Sequence, residues 1–111
     1  MTDLGGKEKR YLRRLAQQMK PAVIIGRAGL SGPLIEKVGQ LLDRLELIKV
    51  SLGPGAPLDR ADAAEKLATA TAAACAGILG RTFLLYRPNE KLDPRKRLKL
   101  PTRRSSPGQA L

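Results

Sequence analysis

Between Leu34 and Leu52 the hydrophobic period changes abruptly from that of a helix to that of a strand. Leu34, Val38, Leu41 and Leu45, with Ile35 and Leu42 beside them, form a buried stripe at helical spacing. Ile48, Val50 and Leu52 then fall on one side of residues 47–52, with Leu47, Lys49 and Ser51 on the other, which is strand periodicity. A short β-rich run, Ala22-Val23-Ile24-Ile25, precedes the helix. Two strands joined through a helix imply parallel pairing, because a tight turn cannot bring the chain back in the same direction.

The flanking segments complete the pattern. Residues 6–19 are expected to form a first helix. At about 100° per residue, Tyr11, Leu12, Leu15, Ala16 and Met19 lie within one arc of roughly 140°, and only Glu8 intrudes on that arc. Pro21 stops this helix, since it lacks a backbone N–H and disfavours helical geometry at Lys20. Ser31 can cap the second helix, with Pro33 in its first turn. Gly53-Pro54-Gly55 is a turn cluster, and Asp59 is the expected N-cap of a third, alanine-rich helix running to about Cys75. Ala76-Gly77-Ile78-Leu79 and Thr82-Phe83-Leu84-Leu85-Tyr86 read as paired strands across Gly80-Arg81, where a leading glycine suits a type II′ turn. The expected architecture is a small α/β (α+β) two-layer sandwich, ordered α-β-α-β-α-β-β, with a mixed four-stranded sheet. Residues 1–90 make the domain, and residues 91–111 are expected to be a basic, disordered tail.

The charge is large and unevenly placed. The 111 residues carry a net charge of +11, far beyond what solubility requires, which points to a polyanionic partner. Lys7, Lys9, Arg10, Arg13, Arg14 and Lys20 stand against Asp3 and Glu8 in the first twenty residues. Arg87, Lys91, Arg95, Lys96, Arg97, Lys99, Arg103 and Arg104 stand against Glu90 and Asp93 after residue 86. Placed on the same helical wheel, the five cations of the first helix and Lys20 just after it occupy the half opposite the apolar arc, and one sign dominates where ordinary exposed faces mix both.

Gly26-Arg27-Ala28-Gly29 sits where the first strand gives way to the second helix. Glycine has no Cβ to block a phosphate from the backbone, and a helix start directs unpaired N–H groups and partial positive charge the same way. The spacing alone is weak, because a chain with 11 glycines supplies it readily and an ordinary turn explains it. It fits neither GxxxxGK[ST] nor GxGxxG, which argues against nucleoside triphosphates and dinucleotides.

Several blocks taken together resemble a known family. They are Lys9-Arg10-Tyr11-Leu12-Arg13-Arg14-Leu15-Ala16, Lys20-Pro21, Ile25-Gly26-Arg27-Ala28-Gly29-Leu30, Glu46-Leu47-Ile48-Lys49-Val50 and Gly80-Arg81-Thr82-Phe83-Leu84-Leu85-Tyr86-Arg87-Pro88. In order and spacing, over roughly residues 6–90, they resemble the CRM (chloroplast RNA splicing and ribosome maturation) domain in its single-domain, bacterial YhbY-like form. The resemblance implies an RNA-binding domain similar in fold to the C-terminal domain of translation initiation factor 3, associated with ribosomal RNA or precursors of the large ribosomal subunit. It implies that Gly26, Arg27, Ala28 and Gly29 are the family's GxxG loop, reminiscent of the loop with which KH domains clamp nucleotide backbone. Where the family often has a Gly-Gly pair and a longer β-branched run, this chain has Ala72-Ala73-Ala74-Cys75-Ala76-Gly77. A short third strand is expected from that departure.

Other chemistries find little support. Histidine is absent and Cys75 is the lone cysteine, so a disulfide within the chain and a zinc site of ordinary ligand count are both excluded. No enzyme, cofactor, metal or small-molecule substrate is expected. Aromatic residues make up 3% of the chain, too few for an RNA-stacking platform, which favours recognition of backbone and shape. No apolar run approaches the roughly 20 residues that span a bilayer, and the N-terminus lacks a secretory core, so a cytoplasmic location and no membrane partner are expected. The expected function is a ribosome assembly factor that clamps RNA backbone through Gly26, Arg27, Ala28 and Gly29 and through Lys7, Lys9, Arg10, Arg13, Arg14 and Lys20, with Arg81 and Arg87 assisting. The loop and the basic side of the first helix are expected to form one cationic surface. The alternatives are a module that docks on ribosomal proteins and a non-specific DNA binder.

Overall fold

In the computed structural model, residues 4–100 are described. Their elements are α1 (Gly6–Ala16), β1 (Val23–Ile25), α2 (Gly32–Leu45), β2 (Leu47–Leu52), α3 (Arg60–Thr71), β3 (Ala74–Leu79) and β4 (Thr82–Tyr86). The sheet order is β1-β2-β4-β3. β1 runs parallel to β2, with Val23 opposite Val50 and Ile25 opposite Leu52. β4 is antiparallel to both its neighbours, pairing Leu47 with Tyr86 and Ile78 with Phe83. The mixed four-stranded sheet expected from the sequence is therefore present, with the last strand inserted beside β2.

Strand alternation decides what each face buries. Ile48, Val50 and Leu52 join Val23, Ile25, Phe83 and Leu85 beneath Val38 and Leu42 of α2 and Ala63, Ala64, Leu67 and Ala68 of α3. The small residues let α3 lie close to the sheet. The opposite face carries Leu47, Ala76, Leu84 and Tyr86 beneath Leu12 and Ala16. Helix α1 is thus a further layer, on the other side of the sheet from α2 and α3. Its apolar arc is used as expected, with Tyr11, Leu15 and Met19 partly buried around that cluster.

Two helices end earlier than their composition suggests. After Ala16, the amides of Gln17, Gln18 and Met19 bond three residues back, to Arg14, Leu15 and Ala16, so the last turn tightens ahead of Pro21. α3 stops at Thr71, short of Cys75. Ala72 takes the left-handed conformation (φ 58°), its N–H reaching Thr69 and that of Ala73 reaching the Ala68 carbonyl at 2.9 Å. This is the hydrogen-bond pattern with which glycine usually closes a helix. Cys75 consequently lies in a strand, half-buried, and β3 is six residues long where a short strand was expected. A register shift between Cys75 and Gly77 turns Ala76 toward α1. The β3–β4 turn has Gly80 at φ 61°, as the expected hairpin requires.

The chain beyond β4 returns to the domain. The Arg87 N–H donates to the Glu46 carbonyl at 2.8 Å, and Leu98 and Leu100 pack into the α1 cluster. Within residues 91–100, expected as the start of a disordered tail, Arg97, Leu98 and Leu100 are therefore laid against the fold, the two leucines because they bring apolar side chains to it. Residues 101–111 lie outside the described residues.

Candidate nucleic-acid interface

The loop from Gly26 to Gly29 closes on itself, the Gly29 N–H donating to the Gly26 carbonyl at 3.0 Å. Gly29 is buried at φ 66°, and a Cβ there would meet the Pro57 ring at 3.1 Å, so both conformation and space demand glycine. Gly26 is exposed with open space around it, and Ala28 is exposed as well. Arg27 is exposed and forms no hydrogen bond or ion pair among the described residues. Its side chain lies across the backbone of Gly55.

The helix behind the loop offers less than an uncapped start would. The Ser31 hydroxyl accepts the Leu34 N–H at 3.3 Å, and Pro33 has no N–H to give. The Gly32 N–H is the first-turn donor left without a partner among the described residues.

Several other segments share this end of the sheet. Ile25 pairs with Leu52, the Gly53 N–H donates to the Ile25 carbonyl at 2.9 Å, and the Leu52 N–H donates to Arg81 at 2.9 Å. Arg81 is exposed and donates from Nε to Leu52 and from Nη2 to Gly53, both at 3.3 Å, so its stem is fixed while its outer edge faces solvent. Arg60, at the start of α3, donates from Nη1 to the Gly80 carbonyl. The sequence reading missed Arg60. Its position beside the recognised cap Asp59 was the available signal, but its partner lies 20 residues away.

The second basic set is on α1. Lys7, Arg10 and Arg14 are exposed, and Lys9 and Arg13 are half-buried. None of the five has an ion pair among the described residues. Glu8, the acid on this helix, is buried and turned back on the helix start, where its Oε1 accepts the Gly5 N–H at 2.7 Å. Arg13 lies along β3, where a Cβ on Gly77 would come within 2.7 Å of its Cδ. No hydrogen bond among the described residues joins α1 to the Gly26–Gly29 loop. Lys20, exposed in the connection leading to β1, lies between them along the chain.

Arg87 belongs to neither set. Its Nη1 donates to the Thr71 carbonyl at 2.6 Å, and its Nη2 donates to Gly39 at 2.8 Å and to the Asp43 carboxylate at 2.6 Å. It clamps α2 to the end of α3, which removes it from the candidate contacts. Glu46 also escaped the sequence reading. It is completely buried at the α2–β2 junction with φ 64°. Its carboxylate accepts the N–H groups of Asn89 at 2.6 Å and Leu98 at 2.7 Å, with Arg97 Nε at 3.4 Å. An acid wedged between apolar runs, in Leu45-Glu46-Leu47-Ile48, was the clue.

Among the described residues no cluster of three metal-ligating side chains occurs, and no helix is long and apolar enough to cross a membrane.

The sequence profile of the CRS1 / YhbY (CRM) domain matches residues 4–87. The chain belongs to this family. The CRM domain here is 32% identical over 98 residues to Probable RNA-binding protein YqeI of Bacillus subtilis, covering 88% of this chain and 99% of that one. It is 39% identical over 89 residues to Probable RNA-binding protein MJ0652 of Methanocaldococcus jannaschii, covering 78% of this chain and 66% of the relative. A Haemophilus influenzae chain named RNA-binding protein matches at 31% identity over 99 residues, 86% of this chain and 100% of that one. Among solved structures, the hypothetical protein SAV1595 from Staphylococcus aureus superposes with a TM-score of 0.73 at 32% identity, covering 89% of this chain and all of its own.

Proposed function

We propose that this CRM domain binds RNA, gripping the sugar-phosphate backbone of ribosomal RNA in precursors of the large ribosomal subunit as an assembly factor. The observation that carries the reading is the set of unpaired guanidinium and ammonium groups. Arg27 and the five cations of α1 have no ion pair among the described residues, on a chain of net charge +11. A fold that leaves so many like charges unpaired bears self-repulsion that a polyanion relieves. Several relatives carry RNA binding in their names, which supports RNA as that polyanion.

The division of labour follows from the side chains. Open space at Gly26 admits a phosphate beside the backbone, the Gly32 N–H opens the helix that follows the loop, and Arg27 supplies the charge. Arg81 and Arg60 add guanidinium edges at that end of the sheet. Helix α1 and Lys20 follow neighbouring phosphates. With few aromatics available, the grip reads backbone and shape rather than stacked bases.

A filter-binding titration against a transcript of a large-subunit ribosomal RNA domain tests this. If about six phosphates are neutralised, log affinity falls against log salt with a slope of roughly −4 for single strands or −5 for duplex. Arg27→Glu, and separately Lys7, Arg10 and Arg14 changed together to Glu, lower affinity sharply while the thermal melt is kept. Undiminished affinity in both folded variants refutes the grip.

A further inference from the structure

The profile match ends at residue 87, yet the described structure continues to residue 100 as an arm that returns to the fold. We propose that this arm, residues 91–100, is a second RNA-backbone contact, seated beside α1 so that Lys91, Lys96 and Lys99 enlarge the helix's cationic surface. The proposal rests on the RNA-binding reading above and adds to it a site outside the matched domain.

The seat is built by the domain. Glu46, with no exposed surface, gives one carboxylate oxygen to the Asn89 N–H and the other to the Leu98 N–H, so the arm is held near both ends. The Asn89 side chain adds a bond from Nδ2 to the Asp43 carbonyl at 2.8 Å. Leu98 and Leu100 enter the same apolar cluster as Leu12 and Ala16, which sets the arm alongside α1. Such fixed placement is unlike a merely solubilising tail, whose charges need no address.

The arm's charges then divide into two kinds. Arg95 is paired with Asp93 at 3.0 Å, and Arg97 with Glu46 at 3.4 Å. The hydrogen bond from the Arg95 side chain, with a second from its backbone, holds the Asp93 carboxyl below its ordinary range. Lys91, Lys96 and Lys99 are exposed, and their ammonium groups have no partner among the described residues. Anchoring Leu98 and Leu100 in the α1 cluster therefore adds three unpaired positive charges to the same face of the sheet that carries the five cations of α1. Apolar anchoring opposes the repulsion, and phosphates laid across both elements remove it. A flexible linear anion chain can reach two separate basic elements where a compact ligand cannot.

The test compares the parent chain, Arg27→Glu, and a variant with Lys91→Gln, Lys96→Gln and Lys99→Gln, each titrated with the large-subunit ribosomal RNA transcript from 50 to 200 mM KCl. The three lysine side chains are exposed and bond no group among the described residues, so the triple variant keeps the parent's melt. The expected result is an affinity lower by about tenfold or more and a salt slope shallower by about 2. In the parent, amide NMR signals from residues 91–100 shift with those of α1 as RNA is added. Unchanged affinity and slope in the triple variant, with Arg27→Glu weakened, overturn the arm contact and leave the RNA reading standing. If the parent itself does not bind the transcript, the RNA reading and the arm contact both fail. Parent-like RNA binding with lost adhesion to phosphatidylserine vesicles reassigns the arm to a membrane surface and overturns the proposal.

Discussion

The Arg27 side chain rests on Gly55, so closely that a methyl group on Gly55 would stand 2.6 Å from Arg27 Cγ and 3.1 Å from Nε. The bare backbone of the β2–α3 loop is thus a shelf for the guanidinium of the neighbouring loop. It restrains the stem of a long side chain without using any of its donors, so in the proposed RNA grip part of the ordering entropy is met before binding.

Gly55→Ala tests that shelf. Gly55 is exposed and its φ is not in the left-handed region, so the fold accepts alanine while Arg27 is displaced. Restoring the lost order costs about 0.5–1.5 kcal/mol, a two- to tenfold drop in RNA affinity. Filter binding checks the drop, and an unaltered circular-dichroism melt excludes a folding defect.

Arg87→Ala is expected to act on stability alone. It strands the carbonyls of Gly39 and Thr71 and leaves Asp43 without its partner, at a cost of about 2–3 kcal/mol. Lysine cannot restore the site, because one ammonium cannot span three acceptors held by a planar fork. Urea denaturation reads the loss, and RNA affinity measured on the folded protein stays at the parental value.

Glu46→Gln exchanges one carboxylate oxygen for an NH2 group that faces a backbone N–H of Asn89 or Leu98. Two donors then meet in a buried site, with a penalty of about 1–3 kcal/mol. Hydrogen exchange at the Asn89 and Leu98 amides accelerates before that of the β2–β4 amides. Equal acceleration everywhere would mean that the carboxylate supports the whole domain rather than the arm.

Ala72→Gly is expected to stabilise the protein. Ala72 sits at φ 58°, where a Cβ costs about 1–2 kcal/mol, part of which glycine returns as extra freedom in the unfolded chain. A net gain of about 1 kcal/mol corresponds to a melting temperature higher by roughly 4–8 °C in a domain of this size. Differential scanning calorimetry measures it directly.

The features legible in the sequence are those with local causes. The period change between Leu34 and Leu52, the caps at Ser31 and Asp59, and the arc of α1 depend on residues a few positions apart, and each stands where it was read. The end of α3 was misread because alanines favour continuing a helix, whereas burial of Ala73 in the core makes the chain turn at Ala72. That one turn moved Cys75 from helix to strand. Arg87 looked like a surface cation because its acceptors lie 16 to 48 residues away, and Glu46 was silent for the same reason. The Gly26–Gly29 turn was visible, but the support of Arg27 by Gly55 is a meeting of two loops that only the parallel β1–β2 pairing brings about.

The junction at Glu46 also makes one corner of the fold wait on the far end of the chain. Its amide partners lie 43 and 52 residues downstream. Until those residues have been added, the carboxylate lacks both amide partners. A segment translated late thereby sets a corner made early.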